Sequence, residues 1–181
     1  MEWKTVSLVT AGFAAQRVTQ TVLDGFYARS GYPVPYYTGQ LSFSASKLSG
    51  WYTGMERDGT LDVYWQTQFV DFAFIAATAL FFTALLFAVA RAFPAGSGGR
   101  TFARRLIWFG LAAPLLDVLE NLLSFVMLPD PGAISPVVAL LYSSAAALKF
   151  ACFFAVYLWA AVGLTTAAVV RIRGRRAAAT A

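Results

Sequence analysis

Between Gln66 and Phe93 the chain runs for 28 residues, QTQFVDFAFIAATALFFTALLFAVARAF, with Asp71 as the one charge before Arg91. A helix of about 20 apolar residues crosses the hydrocarbon core of a bilayer, so this run is expected to be a membrane span. Thr60 or Asp62 is placed to cap its start, and Pro94 with the AGSGG stretch behind it ends it.

Two further runs have the same character. Leu106 to Leu128 starts behind Arg104 and Arg105 and stops at PDPG, a turn signature, so it reads as a returning helix. Pro136 to Val170 is 35 residues long with Lys149 as its one charge. That is more than a bilayer needs, so the helix is expected to tilt or to project past the surface before RIRGRR. Residues 5–27 have span length but carry Gln16, Arg17, Gln20 and Asp24, a load that calls for neighbouring helices. A cleaved signal peptide is the rival reading of that segment. The weak basic start, the interrupted apolar run and the lack of a small-residue cleavage site favour a retained span.

The expected fold class is therefore all-α, an integral membrane four-helix bundle in one domain, with spans at about 5–27, 66–93, 106–128 and 136–163. A content of 59% apolar residues supplies four spans of about 20 residues with a margin. The basic residues set the orientation. Arg91, Arg100, Arg104 and Arg105 lie between the second and third spans, and Arg171, Arg173, Arg175 and Arg176 follow the fourth. The excess of Lys and Arg on cytoplasmic loops then puts both termini in the cytoplasm of a cell with an inner (plasma) membrane, with 171–181 as a basic tail. The net charge of +5 is spent in clusters beside apolar runs, which points to a bilayer as partner and away from nucleic acid.

Residues 29–61 form the one long external segment. Leu41, Ala45, Leu48, Tyr52 and Met55 recur in it at helical spacing, so a short interfacial helix is expected, either as a lid or as a connection packed on the outer rim. Trp51, Tyr52, Tyr64 and Trp65 fit an aromatic belt.

Whole branches of chemistry are absent from the composition. With no histidine there is no Ser-His-Asp or Cys-His pair, no histidine-ligated haem and no histidine metal site, and the single Cys152 in its apolar run reads as a structural thiol. No cofactor or metal is called for. What remains is a polar constellation inside the spans, where charges are costly and normally have partners or a task. Asp117, Glu120 and Asn121 stand at i, i+3 and i+4 and share one helix face, with Ser124 extending it and Pro114 one turn before. The proline is expected to kink the helix and free a carbonyl close to Asp117. Asp24, Asp71, Asp117 and Glu120 face Arg17 and Lys149, an excess of two negative charges if all ionise. At least one carboxyl is then expected to stay protonated, able to act as an acid, a relay or a hydrogen-bond donor. Asp71 and Glu120 are the candidates for that role, with Asp117 and Lys149 as a charge pair, Arg17 as a further charge partner and Asn121 as orienting group. Ser143 and Ser144 are expected to be small residues that let helices approach closely.

The PLLDVLEN stretch (Pro114 to Asn121), the YWQTQFVD stretch (Tyr64 to Asp71) and the lone Lys149 resemble a family of small, uncharacterised four-helix bacterial membrane proteins with an Asp-x-x-Glu-Asn signature in the third helix. The resemblance spans Leu41 to Leu158 and implies no known activity. In architecture the chain is also similar to the four-helix sterol isomerase and sigma-2 receptor group, whose cavities hold acidic residues. The histidine of the sterol isomerases has no counterpart here, which argues against carrying their reaction over.

The function expected from the residues is binding of, or acid/base chemistry on, a small lipophilic molecule, of the isomerase or cyclase kind. Proton- or ion-coupled transport, which for four helices calls for a homo-oligomer or a partner, and a non-catalytic interaction subunit whose charges serve as packing glue are the alternatives.

Overall fold

The computed structural model describes residues 3–179, and every regular element among them is helical. The first helix, α1, covers Trp3–Ser30, followed by a short α2 at Tyr36–Gln40, α3 at Ala45–Arg57 and α4 at Leu61–Ala92. Then come α5 at Gly98–Arg105, a 3-10 segment at Leu106–Leu111, α6 at Ala112–Met127 and α7 at Pro136–Ala179. Three stretches are long and apolar enough to cross a membrane: Leu61–Ala92, Gly98–Met127 and Pro136–Gly174. At 28 residues α1 has the length but not the apolarity.

Local chemistry sets the breaks between helices. Gly31 and Gly59 take positive φ (65° and 70°), the left-handed turn that ends α1 and separates α3 from α4 at little cost to a residue without Cβ. Ser44 caps α3 by accepting from Lys47 N at 3.4 Å, and Ser97 caps α5 by accepting from Arg100 N at 3.2 Å. The run expected as one helix from 106 to 128 is divided. Pro114 cannot donate to its preceding turn, and Gly110 packs so closely on α4 that a Cβ there would stand 3.1 Å from Leu86 Cδ1 and 3.3 Å from the Phe82 carbonyl carbon. The chain tightens into a 3-10 turn at that approach, and Pro114 falls in the first turn of α6, where the missing N–H is tolerated.

The central helix is α4, which touches α1, α5, α6 and α7. Antiparallel to it lies α1, with Gly12 against the Phe81 backbone, Gln16 Nε2 donating to Thr78 Oγ1 at 3.4 Å, and Tyr27 edge-on to Tyr64. The other long pair is α6 and α7, also antiparallel, while α1 stands off from α7. With 44 residues α7 is about 66 Å long, well beyond a bilayer's hydrocarbon core, and it carries the basic tail expected at 171–181 as helix through Ala179.

The two ends of the molecule differ in chemistry. At one end α3 buries Leu48, Tyr52 and Met55 against Tyr64, Met127, Leu128, Ala139 and Tyr142. The segment that holds α2 and α3 is thus a cap seated on the ends of the long helices, and the apolar face of α3 meets protein. That helix begins at Ala45, so Leu41 is not part of that face and remains 39% exposed. Tyr52 and Tyr64, expected in an aromatic belt, are buried in this cap (0% and 1% exposed). The other end carries the arginines, with α5 folded back onto the end of α4. Between the ends, Phe81, Phe82, Leu86, Ala113 and Val156 form an apolar layer.

Candidate functional site

A buried polar layer lies between that apolar layer and the tyrosine cap. Its residues come from the faces of three helices: Gln68 and Asp71 on α4; Asp117, Glu120, Asn121 and Ser124 on α6; Lys149 on α7. All are under 5% exposed, so their polar atoms depend chiefly on their protein neighbours.

Two linked contacts organise the layer. Lys149 Nζ donates to Asp117 Oδ1 at 2.8 Å and stands 2.5 Å from Glu120 Oε2, with the Phe150 ring 5.1 Å away. The spacing of Asp117 and Glu120, one turn apart on α6, lets one ammonium serve both carboxylates. From the same face of α6, Asn121 Nδ2 donates to Asp71 Oδ2 at 2.8 Å and to the Gln68 carbonyl at 3.4 Å, both on α4. The Asp117/Lys149 charge pair expected from the sequence is present. Glu120, a candidate for the protonated carboxyl, shares the same lysine.

The charge balance follows from these positions. Three carboxyls (Asp71, Asp117, Glu120) surround one ammonium (Lys149). The set is neutral when two of the carboxyls hold protons, or when one does and Arg17 supplies the remaining positive charge. Arg17 is exposed and makes no ion pair among the described residues. Asp24 is also exposed and accepts from Gln20 Nε2 at 2.7 Å, so it stands apart from the buried layer.

A cavity of about 280 Å³ opens in the gap that α1 leaves beside α7. Asp71, Asp117 and Lys149 form its polar floor, and Arg17 lies on its wall with Gln16 and Gln20. Phe74, Phe150, Phe153 and Tyr157 give it an aromatic side, and Tyr27, Tyr36 and Gln40 close it toward the cap. Glu120 and Asn121 do not line it: Glu120 lies behind Lys149, and Asn121 behind Asp71. Of the six site residues drawn from the sequence, the structure brings Asp71, Asp117, Lys149 and Arg17 to the cavity and sets Glu120 and Asn121 one layer deeper.

Sequence reasoning missed the tyrosines. Tyr142 lies beside Glu120, and the Tyr52 hydroxyl lies near Ser124 and Tyr142 and 3.5 Å from that of Tyr64. Burial raises the Tyr52 hydroxyl above the ordinary phenol range. For Tyr36, at the cavity rim, burial and then the nearby Asp24 charge act in the same direction. Both are protonated donors at neutral pH. An aromatic residue next to a polar run was the available signal, but a membrane belt gives the same pattern.

Cys152 is a free, half-buried thiol. No protein-family model, no curated protein and no solved structure matches this chain.

Proposed function

We propose that this chain is a four-span protein of the inner membrane, with α1 as the fourth span, which binds a small lipophilic molecule in the cavity between α1 and α7 and performs acid/base chemistry on it. The observation that carries this reading is the cavity itself. It pairs a charged floor with an aromatic side and opens sideways, where a molecule dissolved in the bilayer would reach it.

In this reading Asp71 is the catalytic acid or base, since it reaches the cavity and its one side-chain hydrogen-bond partner among the described residues is the Asn121 amide, which donates to it whether or not it carries its proton. Asn121 orients it. Asp117 and Lys149 hold the polar head of the ligand, and Arg17 stands at the opening. Glu120 acts through Lys149 as a positioning residue and as a store for a second proton. Protonation of a double bond by Asp71, followed by loss of a proton from a neighbouring carbon to a carboxylate, is the whole of an isomerisation, and ring closure before that loss makes it a cyclisation. An isoprenoid-like substrate fits both the aromatic wall and this chemistry.

Passage of protons across the full membrane through one copy is less well supported, because the layer of Phe81, Phe82, Leu86, Ala113 and Val156 offers no side-chain donor or acceptor below the site.

The test is to purify the wild type and Asp71→Asn from membranes, identify the lipophilic molecules that travel with each, and follow conversion of the enriched molecule. Enrichment with both proteins and conversion by the wild type alone is expected. Enrichment without any conversion leaves a binding protein, equal conversion removes Asp71 from the chemistry, and no enriched molecule sinks the reading.

A further inference from the structure

Glu120 is fully buried, and its two carboxyl oxygens differ. Oε2 takes the Lys149 ammonium at 2.5 Å, while Oε1 has no hydrogen-bond partner among the described residues. Ser124 Oγ, one turn on along the same face of α6, and Gln68 Nε2 on α4 are likewise buried and unpartnered. They lie close together, since Asn121, next to Glu120 in the chain, donates to the Gln68 carbonyl at 3.4 Å. A buried polar atom is normally paired with protein or with ordered water, so three such atoms at one level mark a place for water.

Tyrosine hydroxyls continue from there toward the cap. Tyr142 lies beside Glu120, the Tyr52 hydroxyl lies near Ser124 and Tyr142, and it is 3.5 Å from the hydroxyl of Tyr64. The Tyr64 ring stacks on that of Tyr32 with centres 5.1 Å apart, and the Tyr32 hydroxyl is a fourth buried group without a partner. Tyr32 in turn lines a hollow of about 430 Å³ that opens at the cap end, together with Asp24, Tyr27 and Tyr36. Four tyrosines thus reach from Glu120 to the surface, supplied by α7, α3, α4 and the turn after α1. Packing alone does not call for their hydroxyls, because phenylalanine fills a similar volume and does so in the apolar layer at Phe81 and Phe82. A phenol, unlike an ammonium or a guanidinium, both donates and accepts a hydrogen bond. A row of phenols with water between them can therefore take a proton at one end and release another at the far end.

We infer that Glu120, Tyr142, Tyr52, Tyr64 and Tyr32, with ordered water beside Glu120 and Ser124, form a proton route between the buried polar layer and the water at the cap end. A proton enters at Tyr32, each hydroxyl passes its own proton inward as it accepts the next, and Glu120 receives one on Oε1. The reverse sequence discharges it. The route deepens the proposed function, because a lipophilic ligand in the cavity covers Asp71 and Asp117 and leaves the tyrosines as the path by which the layer exchanges protons. It rests on that reading for the membrane setting and not for the chemistry.

The experiment follows exchange of the protonated Glu120 carboxyl by infrared spectroscopy of the full chain in lipid membranes. The C=O band is recorded over a series of pH values and assigned by its absence in Glu120→Gln. The rate of its shift on transfer to heavy water is then measured. Tyr52→Phe and Tyr142→Phe, which keep the ring and remove the hydroxyl, are each expected to slow that shift about tenfold or more. Tyr64→Phe gives a third reading if either of them does not fold. Tyr37→Phe, which removes an exposed hydroxyl of α2 outside the route, should leave the rate unchanged. Exchange as fast in the route variants as in the wild type means that protons arrive another way, the cavity included, and overturns the inference. Equal slowing by Tyr37→Phe overturns it as well, and so does the absence of a Glu120 band at every pH at which the protein is folded. Slowed exchange in a protein that converts no ligand keeps the route and removes the chemistry, whereas conversion with unaltered exchange does the reverse.

Discussion

Lys149 Nζ stands 2.8 Å from Asp117 Oδ1, and because Glu120 takes the same ammonium at 2.5 Å, this one cation of α7 pairs with two acids of α6. Removing it leaves buried carboxylates with no counter-charge. Lys149→Met is expected to lower stability by about 3–5 kcal/mol, the range for breaking a buried pair from one side. Thermal unfolding in detergent measures it. In an Asp117→Asn/Glu120→Gln background the same substitution should cost far less, and a full-size loss there would mean that packing, not charge, explains Lys149.

Asn121 performs the matching task toward α4, through its 2.8 Å bond to Asp71. Hydrogen bonds to charged groups are worth about 1.5–3 kcal/mol, and Asn121→Leu should cost that amount. The expected signature is that Asp71→Asn suppresses the cost only in part, since its amide still seeks a donor, whereas Asp71→Leu suppresses it nearly completely. Equal costs in all three backgrounds would remove the bond from the account.

The outer segment has a strained anchor. Phe43 has φ of 50°, in the left-handed region that a side chain disfavours, and its N–H donates to Ser143 Oγ at 3.0 Å. Ser143, expected only to let helices approach, thus fastens the cap to α7. Ser143→Ala should speed hydrogen exchange at the Phe43 amide and favour proteolysis between residues 31 and 44, with a loss of about 1 kcal/mol. Phe43→Gly should act in the opposite direction, since it removes a penalty of about 1–2 kcal/mol. A segment indifferent to both changes would show that the anchor contributes nothing.

The helices were legible because the signal for a span is coarse: Leu61–Ala92 needs only length and apolarity, and its interior charge, Asp71, drew attention for the same reason. The face shared by Asp117, Glu120 and Asn121 followed from a spacing within one helix. Relations between helices did not follow. Nothing local indicates that Lys149 meets Glu120 as well as Asp117, that Asp71 reaches the cavity while Glu120 lies behind it, or that Tyr52 and Tyr64 turn inward. These depend on how α1, α4, α6 and α7 are rotated about their axes. The break at Leu106–Leu111 was half visible: Pro114 announced a disturbance, but its position was set by the contact of Gly110 with Phe82 and Leu86, which only the packed structure shows.

Orientation can be tested with single cysteines in a Cys152→Ser background. With the arginine end in the cytoplasm, a membrane-impermeant thiol reagent added to intact cells should label Gly132→Cys, in the turn between α6 and α7, and not Gly96→Cys, between α4 and α5. The reverse pattern inverts the topology, and labelling of both means that the helices between them do not span.

The place of α1 decides whether the cavity has a wall on that side. Its charges keep it from being an independent span, so it must be held by α4, and the two helices come close at Gly12, where a Cβ would stand 3.0 Å from Phe81 Cα. A backbone atom cannot move aside as a flexible side chain can. Gly12→Val should therefore push α1 off α4. The bond between Gln16 and Thr78 supplies the gauge. In a Cys152→Ser background, Gln16→Cys with Thr78→Cys should cross-link in membranes under mild oxidation, because facing residues on packed helices come within disulfide reach. Adding Gly12→Val should reduce the cross-link several-fold and abolish retention of any molecule that co-purifies with the wild type. If Gln16→Cys and Thr78→Cys never join, α1 is not seated on α4, and the cavity loses Arg17, Gln16 and Gln20 together.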